Sequence, residues 1–226
     1  MIISNRQNNT ILTTRNGFTL VELMVGLAIT SVIITAVFAA YTTQQRLYVS
    51  QDQIAEMQQN LRAAVDYMAR EIRMAGYDPT GESGAGLLAT SDDDLSLDQM
   101  SFTLDANEDE DTADDGEHFR FHFSTGLATD FAVEVRDGGA LTSQVIAENI
   151  QAVEFLYLDK DGDPTLVPEN ARSVKVSMLA RAGDQDRKFQ HTSTYTTPSG
   201  ATWGPYNDRY RRRFVMANIQ LRNVGI

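Results

Sequence analysis

With 226 residues, 42% of them hydrophobic, the chain is long enough to bury one globular core of ordinary size. Its net charge of -12, from 31 Asp and Glu against 19 Lys and Arg, disfavours sequence-independent nucleic-acid binding by the molecule as a whole, because neutralising phosphate needs cations in excess. No cysteine is present, so disulfides are excluded even in an oxidising compartment.

Residues 1–17 are rich in Asn, Thr and Gln and carry Arg6 and Arg15 without an acid. Gly17-Phe18-Thr19-Leu20-Val21-Glu22 follows, and from Phe18 to Tyr41 the only charged side chain is Glu22. About 24 residues at 1.5 Å each give roughly 36 Å of helix, enough to cross a bilayer. A carboxylate in such a run is expensive in lipid, so Glu22 asks for a partner or a purpose, and the run itself offers no obvious partner. A cut between Gly17 and Phe18 would create an α-ammonium about one helical turn away, which a neighbouring subunit could present to Glu22. The small residues Gly26, Ala28, Ser31, Ala36, Ala39 and Ala40 permit close helix approach, although ordinary membrane-helix composition explains them equally well. The leader arginines place this end in the cytoplasm and the bulk of the chain outside.

The basic leader, the Gly-Phe-Thr-Leu-Val-Glu stretch and the apolar run together resemble the class III signal of type IV pilins and type II secretion pseudopilins. The resemblance implies that a prepilin peptidase cleaves between Gly17 and Phe18, that Phe18 is then N-methylated, and that Glu22 pairs with a neighbour's terminal amine during assembly. It also implies the partners: other pilins and minor pilins met through the N-terminal helix, the peptidase, the inner-membrane assembly platform, and the membrane itself before assembly. The head would be periplasmic on a single-pass inner-membrane anchor, and at the cell surface once in a pilus. An uncleaved signal anchor competes with this reading, as does a secretory peptide cut after Val37-Phe38-Ala39, whose apolar region would be too long and would contain Glu22. Loss of residues 1–17 removes two arginines and no acid, taking the charge from -12 to -14. Many major type IV pilins carry a C-terminal disulfide loop and an early helix proline, and this chain matches neither, which favours minor pilins and pseudopilins.

Past Tyr41 the apolar positions Ile54, Met57, Leu61, Val65, Met68 and Ile72 recur at spacings of three and four, the signature of an amphipathic helix. Arg62 with Asp66, and Asp66 with Arg70, supply i,i+4 pairs on its polar face. With no proline or glycine between Leu27 and Ala75, one helix from Phe18 to about Ala75 is predicted, ended by Gly76. The stretches 58–64 and 70–77 resemble the minor-pilin branch called PilW, which is similar to the pseudopilin GspJ.

Between Arg73 and Arg120 there are 14 acids and no Lys or Arg. Within this window 99–104 alternates toward a strand, and Asp105, Asn107, Asp109 and Asp111 then place oxygens at alternate positions. That run is read two ways. It supplies up to four ligands of a Ca²⁺ loop, though Glu110 and Gly116 stand where an EF-hand has Gly and a bidentate Glu; it is equally a solvated acidic hairpin. No cofactor is otherwise required.

The remainder reads as β: 118–123, then Phe131, Val133 and Val135 before an Asp137-Gly138-Gly139 turn, then 152–158, 173–181 and a last strand with Val215, Ala217, Ile219 and Leu221 on one face. Asp159, Asp161 and Asp163 are read as a turn. Trp203 is expected to anchor the polar 183–208 segment on the core, and Arg209 with Arg211, Arg212 and Arg213 to pair with the acidic window, inside the molecule or across a subunit contact, with an anion or a membrane surface as the alternative. His118 and His122, four apart on one strand, would lie roughly 13 Å from each other, too far for one metal. Catalysis is not expected.

The sequence therefore predicts an α+β pilin-like fold: a leader over 1–17, a membrane or filament-core helix over 18–41, its amphipathic continuation over 42–76, and an antiparallel β-rich head over 77–226. The expected function is that of a PilW-like minor pilin in type IV pilus assembly, within the initiating or tip complex. A type II secretion pseudopilin and a pilus-borne adhesive or ligand-binding module are the alternatives. No nucleic-acid partner is expected.

Overall fold

The computed structural model describes residues 17–89, 95–124 and 129–224. The expected leader, but for Gly17, and Asp92 to Asp94 of the acidic window lie outside the described residues. Among the described residues one α-helix, α1 (Leu20–Met74), is followed by strands β1 (Leu87–Leu88), β2 (Met100–Thr103), β3 (His118–Phe123), β4 (Phe131–Asp137), β5 (Ala140–Ala147), β6 (Ile150–Leu158), β7 (Ser173–Arg181), β8 (Tyr195–Thr196), β9 (Thr202–Trp203) and β10 (Arg212–Gln220), with a short 3-10 turn, Pro168–Asn170, between β6 and β7. The strands form three antiparallel groups: a five-stranded sheet in the order β1-β2-β3-β4-β5, a three-stranded sheet β10-β7-β6, and the β8-β9 ribbon. This is the α+β, helix-then-antiparallel-head architecture that the sequence predicts. The chain divides into two compact units, Met1–Val49 and Ser50–Ile226.

In the first unit the α1 side chains are exposed nearly throughout, including Leu20, Val21, Met24, Ile29, Val32 and Phe38. Its hydroxyls turn back onto the helix: Thr30 Oγ1 donates to the Gly26 carbonyl (2.7 Å), Ser31 Oγ to Ala28 (2.7 Å) and Thr35 Oγ1 to Ser31 (2.8 Å). An apolar helix whose polar atoms are satisfied internally suits lipid, where no water supplies the missing bonds.

In the second unit α1 buries Met57, Leu61, Ala64, Met68 and Ile72. The predicted stripe departs at two positions: Ile54 is only half-buried, and Ala64 occupies the contact line while Val65 packs on its flank. Facing it are Phe102, Phe121, Phe131, Phe155, Tyr157 and Met178, all buried. Phe131 stacks on Phe121 (ring centroids 6.4 Å apart) and tilts against Phe155 (6.4 Å), so aromatic contacts carry the core from β3 through β4 to β6. Each such fully buried ring contributes about 1.5–3 kcal/mol.

The β4–β5 hairpin turns at Gly138 and Gly139, both at positive φ (61° and 78°), as a two-residue turn requires. Sequence reading finds the turn and misses β5, because six of its eight residues are exposed and no apolar alternation marks it. It is defined instead by its pairing with β4.

Gly76 ends α1 as expected. Its φ is +73°, its N–H donates to the Thr103 carbonyl (2.9 Å), and an added Cβ would lie 3.0 Å from both the Asn223 carbonyl oxygen and Val224 Cγ2. Left-handed backbone costs an L-residue about 1–2 kcal/mol before any clash. Gly76→Ala is therefore expected to destabilise the head by about 2 kcal/mol, lowering Tm by about 4–8 °C in thermal melts of the detergent-solubilised chain.

Candidate functional site

The N-terminal end of α1 is built by a reciprocal cap. Thr19 precedes the first helical turn, and its backbone N–H and Oγ1 both donate to Glu22 Oε2 (2.9 Å each), while Glu22 N–H donates to Thr19 Oγ1 (3.2 Å). This is the Thr-x-x-Glu capping box, in which two otherwise orphaned amides at the helix start are satisfied. The carboxylate that looked partnerless in the sequence thus has a partner three residues upstream. Cutting the chain before Phe18 leaves this cap intact, since both of its residues lie downstream of the cut.

Gly17 and Phe18 precede the helix, and Phe18 is 89% exposed, so the peptide bond between them is reachable. A Cβ at Gly17 would meet nothing within 4 Å, and its backbone is not among the left-handed ones. The fold of this chain does not demand glycine there. Any demand comes from a molecule that reads the segment. Beyond the cap, α1 is long and apolar enough to cross a membrane.

The prokaryotic N-terminal methylation motif matches residues 12–38, across this end. The pattern of prepilin peptidase-dependent protein B matches residues 50–197, well over half of the chain. The chain belongs to the prepilin peptidase-dependent protein B family. It is a pilin-like protein of the type IV pilin and pseudopilin class. Comparison with curated proteins gives no match. Among solved structures, a type IV-like pilin from Thermus thermophilus is similar in fold, with a TM-score of 0.51 at 16% identity over 76% of this chain and 100% of the other.

In this family member the acidic loop between β2 and β3 uses its alternating oxygens largely on itself. Asp105 is wholly buried, and its carboxylate accepts the amides of Glu108 (2.7 Å) and Glu110 (3.2 Å), both at positive φ. Asn107 Oδ1 accepts from Asp109 N–H, Asp109 Oδ1 from Asp111 N–H, and Asp111 Oδ1 from Ala113 N–H (3.1, 3.3 and 2.8 Å). A two-residue repeat of Asp and Asn is what a chain of such side-chain turns needs. Of the four predicted ligands, Asp109 and Asp111 face outward and are joined by Asp114, their oxygens lying within 4.8 Å of one another; Asp105 points inward. Asn107 reaches Asp109 and Asp114 through its amide nitrogen (3.1 and 2.8 Å). That amide lowers the Asp114 pKa, but the Asp109 and Asp111 carboxylates outweigh it and leave Asp114 above the ordinary range. The Asp159 turn behaves as expected, its Oδ1 accepting the amides of Asp161 and Asp163 (2.9 Å each).

Among the described residues no ion pair joins the C-terminal arginines to the acidic window within the chain. Arg211 binds Asp186 (2.8 Å), and Arg212 grips Asp208 through both terminal nitrogens (2.6 Å each) and Gln151 through Nε (2.6 Å). Both carboxylates belong to the 183–208 segment, which folds back on β10, so near neighbours in sequence outcompete a distant acidic stretch. Arginine–aromatic stacking completes the contact: Arg181 lies over Tyr210, Arg211 over Phe189 and Arg212 over Tyr206, at 4.6, 4.6 and 4.1 Å. Trp203 meets Phe214 of β10 edge-on at 5.8 Å and holds the segment down, as predicted. Glu154, buried on β6, accepts the hydroxyls of Thr197 (2.7 Å) and Ser199 (2.6 Å) and ties the β8–β9 ribbon to the head. Nothing in the sequence marks that bond, whose partners are 43 and 45 residues apart. His122 sits 3.2 Å from Glu134, and His191 3.0 Å from the Tyr195 hydroxyl.

Proposed function

We propose that the chain is a minor pilin of the PilW type that takes part in type IV pilus assembly within the initiating complex. Prepilin peptidase cuts between Gly17 and Phe18, Phe18 is N-methylated, and Glu22 receives the terminal amine of a neighbouring subunit. The apolar half of α1 then leaves lipid for the filament core, and the head stands outside. One observation carries this reading: a reachable Gly17–Phe18 bond abuts a capped helix that exposes apolar side chains on all sides and matches the methylation motif. Such a surface needs either lipid or other helices around it.

Gly17→Ala tests it. Because the fold tolerates a Cβ at this position, the variant is expected to reach the membrane folded and to persist as the slower-migrating precursor. Mass spectrometry of the native chain should give a mature protein beginning at N-methyl-Phe18. Cleavage of Gly17→Ala at the native rate sinks the proposal. Deleting the gene separates the pilus role from a type II secretion role, since loss of surface pili is expected here and loss of exported protein under the alternative.

A further inference from the structure

Two oppositely charged faces flank the C-terminal end of α1. The first is the loop Glu108–Asp115, which carries six carboxylates in eight residues, all exposed. The chain leading into it is tied to the end of α1, where Asp105 N–H donates to the Tyr77 carbonyl (2.7 Å), and its far end to the β4–β5 turn, where Gly139 N–H donates to Asp115 Oδ1 (3.1 Å). The second is a groove of about 760 Å³ across the ends of β6, β7 and β10. Arg73 of α1, Lys160, Arg172, Lys175 and Arg222 line it. Its two acids are already committed: Asp159 accepts backbone amides, and Asp161 lies 3.5 Å from Lys160. Arg172 donates to the Glu169 and Ala171 carbonyls (2.7 and 2.9 Å).

Arg73, Lys175 and Arg222 are left with no carboxylate partner among the described residues. In a chain of net charge -12, where Arg211 and Arg212 are each held by an aspartate, three such cations converging on one groove form a complementary face for an anionic segment. The loop and the groove belong to different sheets, and no ion pair joins them among the described residues. A contact between them would therefore have to join two molecules. Contact of two unlike patches is heterologous, the kind that builds open helical arrays instead of closed dimers.

We propose that the Arg73–Lys175–Arg222 groove receives the Glu108–Asp115 loop of a second copy of the chain. The proposal rests on the reading above, that the chain assembles beside other pilin-type subunits, and it requires that two copies be neighbours. Cation contact would also relieve the crowding that raises the Asp114 pKa. A nucleic acid is the disfavoured occupant, because the strongly acidic molecule repels phosphate at long range.

The absence of native cysteine makes a cross-linking test clean. Gln220→Cys in the groove and Ala113→Cys in the loop, co-expressed in full-length chains and oxidised in membranes, should give a disulfide-linked dimer. Each variant alone should not. Arg73→Glu with Arg222→Glu in the groove partner should cut the yield at least about five-fold, as should 1 M salt, where screening acts within about 3 Å. Pairing that reversed groove with Asp109→Lys and Asp114→Lys in the loop partner should restore it. A yield unmoved by reversal overturns the proposal, as does absence of the dimer, equal linkage by either variant alone, or retention of double-stranded DNA that the reversed groove loses. The same membranes are assayed for cleavage before Phe18: uncleaved native chain means that the pilin reading fails, whereas cleaved chain without the cross-link means that only the groove proposal fails.

Discussion

Glu22→Gln is expected to be cleaved normally before Phe18, to keep its helix, and to enter assembled filaments at least about ten-fold less than the native chain. The reason lies in the two tasks of one carboxylate. Within the chain, Glu22 accepts the Thr19 amide and hydroxyl and so caps α1. Glutamine performs that task, since its side-chain carbonyl accepts the same bonds. What it lacks is charge. Under the proposed function the anion of Glu22 also receives a neighbour's α-ammonium, and ten-fold in incorporation corresponds to about 1.4 kcal/mol of contact free energy. Thr19→Ala supplies the control: it removes the hydroxyl arm of the cap and keeps the charge. Incorporation of Thr19→Ala should therefore remain within about three-fold of native, while Glu22→Ala, which loses both tasks, should incorporate no better than Glu22→Gln. Native incorporation of Glu22→Gln, read by immunoblot of sheared filaments, would show that capping alone accounts for the residue.

How much of this was legible in the sequence varies with the range over which each feature is determined. The helix was readable nearly to its ends because its signals are local: no breaker after Gly26, a stripe at three and four, and a glycine at position 76 that only left-handed backbone explains. The strands β3, β4, β6 and β7 were readable because each buries apolar side chains, and β10 because Val215 and Ala217, half-buried, alternate with exposed residues up to the buried Ile219. Failure came where the determinant is a partner chosen by the fold. β5 is an edge strand whose exposed residues carry no periodicity. The capping box at Thr19 was legible in principle as Thr-x-x-Glu, but the membrane context drew attention to the cost of the charge and away from its local bonds. The alternating Asp105 to Asp111 series has the spacing of a cation loop and equally that of successive side-chain turns; the structure uses it for turns and sends only some of its oxygens outward. Charge totals did not reveal the Asp186 and Asp208 partners of Arg211 and Arg212, since whole-window complementarity says nothing of which carboxylate lies within reach.

That cluster gives the largest stability effect expected in the head. The Arg212 side chain is 0% exposed, held by Asp208 and Gln151 and stacked on Tyr206. Asp208→Ala removes the counter-charge and leaves a buried guanidinium, a change that costs about 3–5 kcal/mol, or about 10 °C in Tm. Arg212→Met should cost less, because the remaining Asp208 is 32% exposed and can turn to water. The double variant should be more stable than Asp208→Ala alone, which gives the non-additivity of a coupled pair in a double-mutant cycle. A dependence on pH follows from the same bond. Hydrogen bonds from Arg212 outweigh burial and hold the Asp208 pKa below its ordinary value, and the Arg211 contact does the same for Asp186. A carboxylate with a lowered folded-state pKa stabilises fully above its unfolded value, near 3.9, and loses that contribution as pH falls through the folded value. The native chain should thus unfold in acid at lower pH than Asp208→Asn, with the two stability curves converging once the pH has fallen through the folded-state value of Asp208. Parallel acid curves for the two proteins would place the worth of the contact in the Arg212–Tyr206 stack and the Gln151 bond.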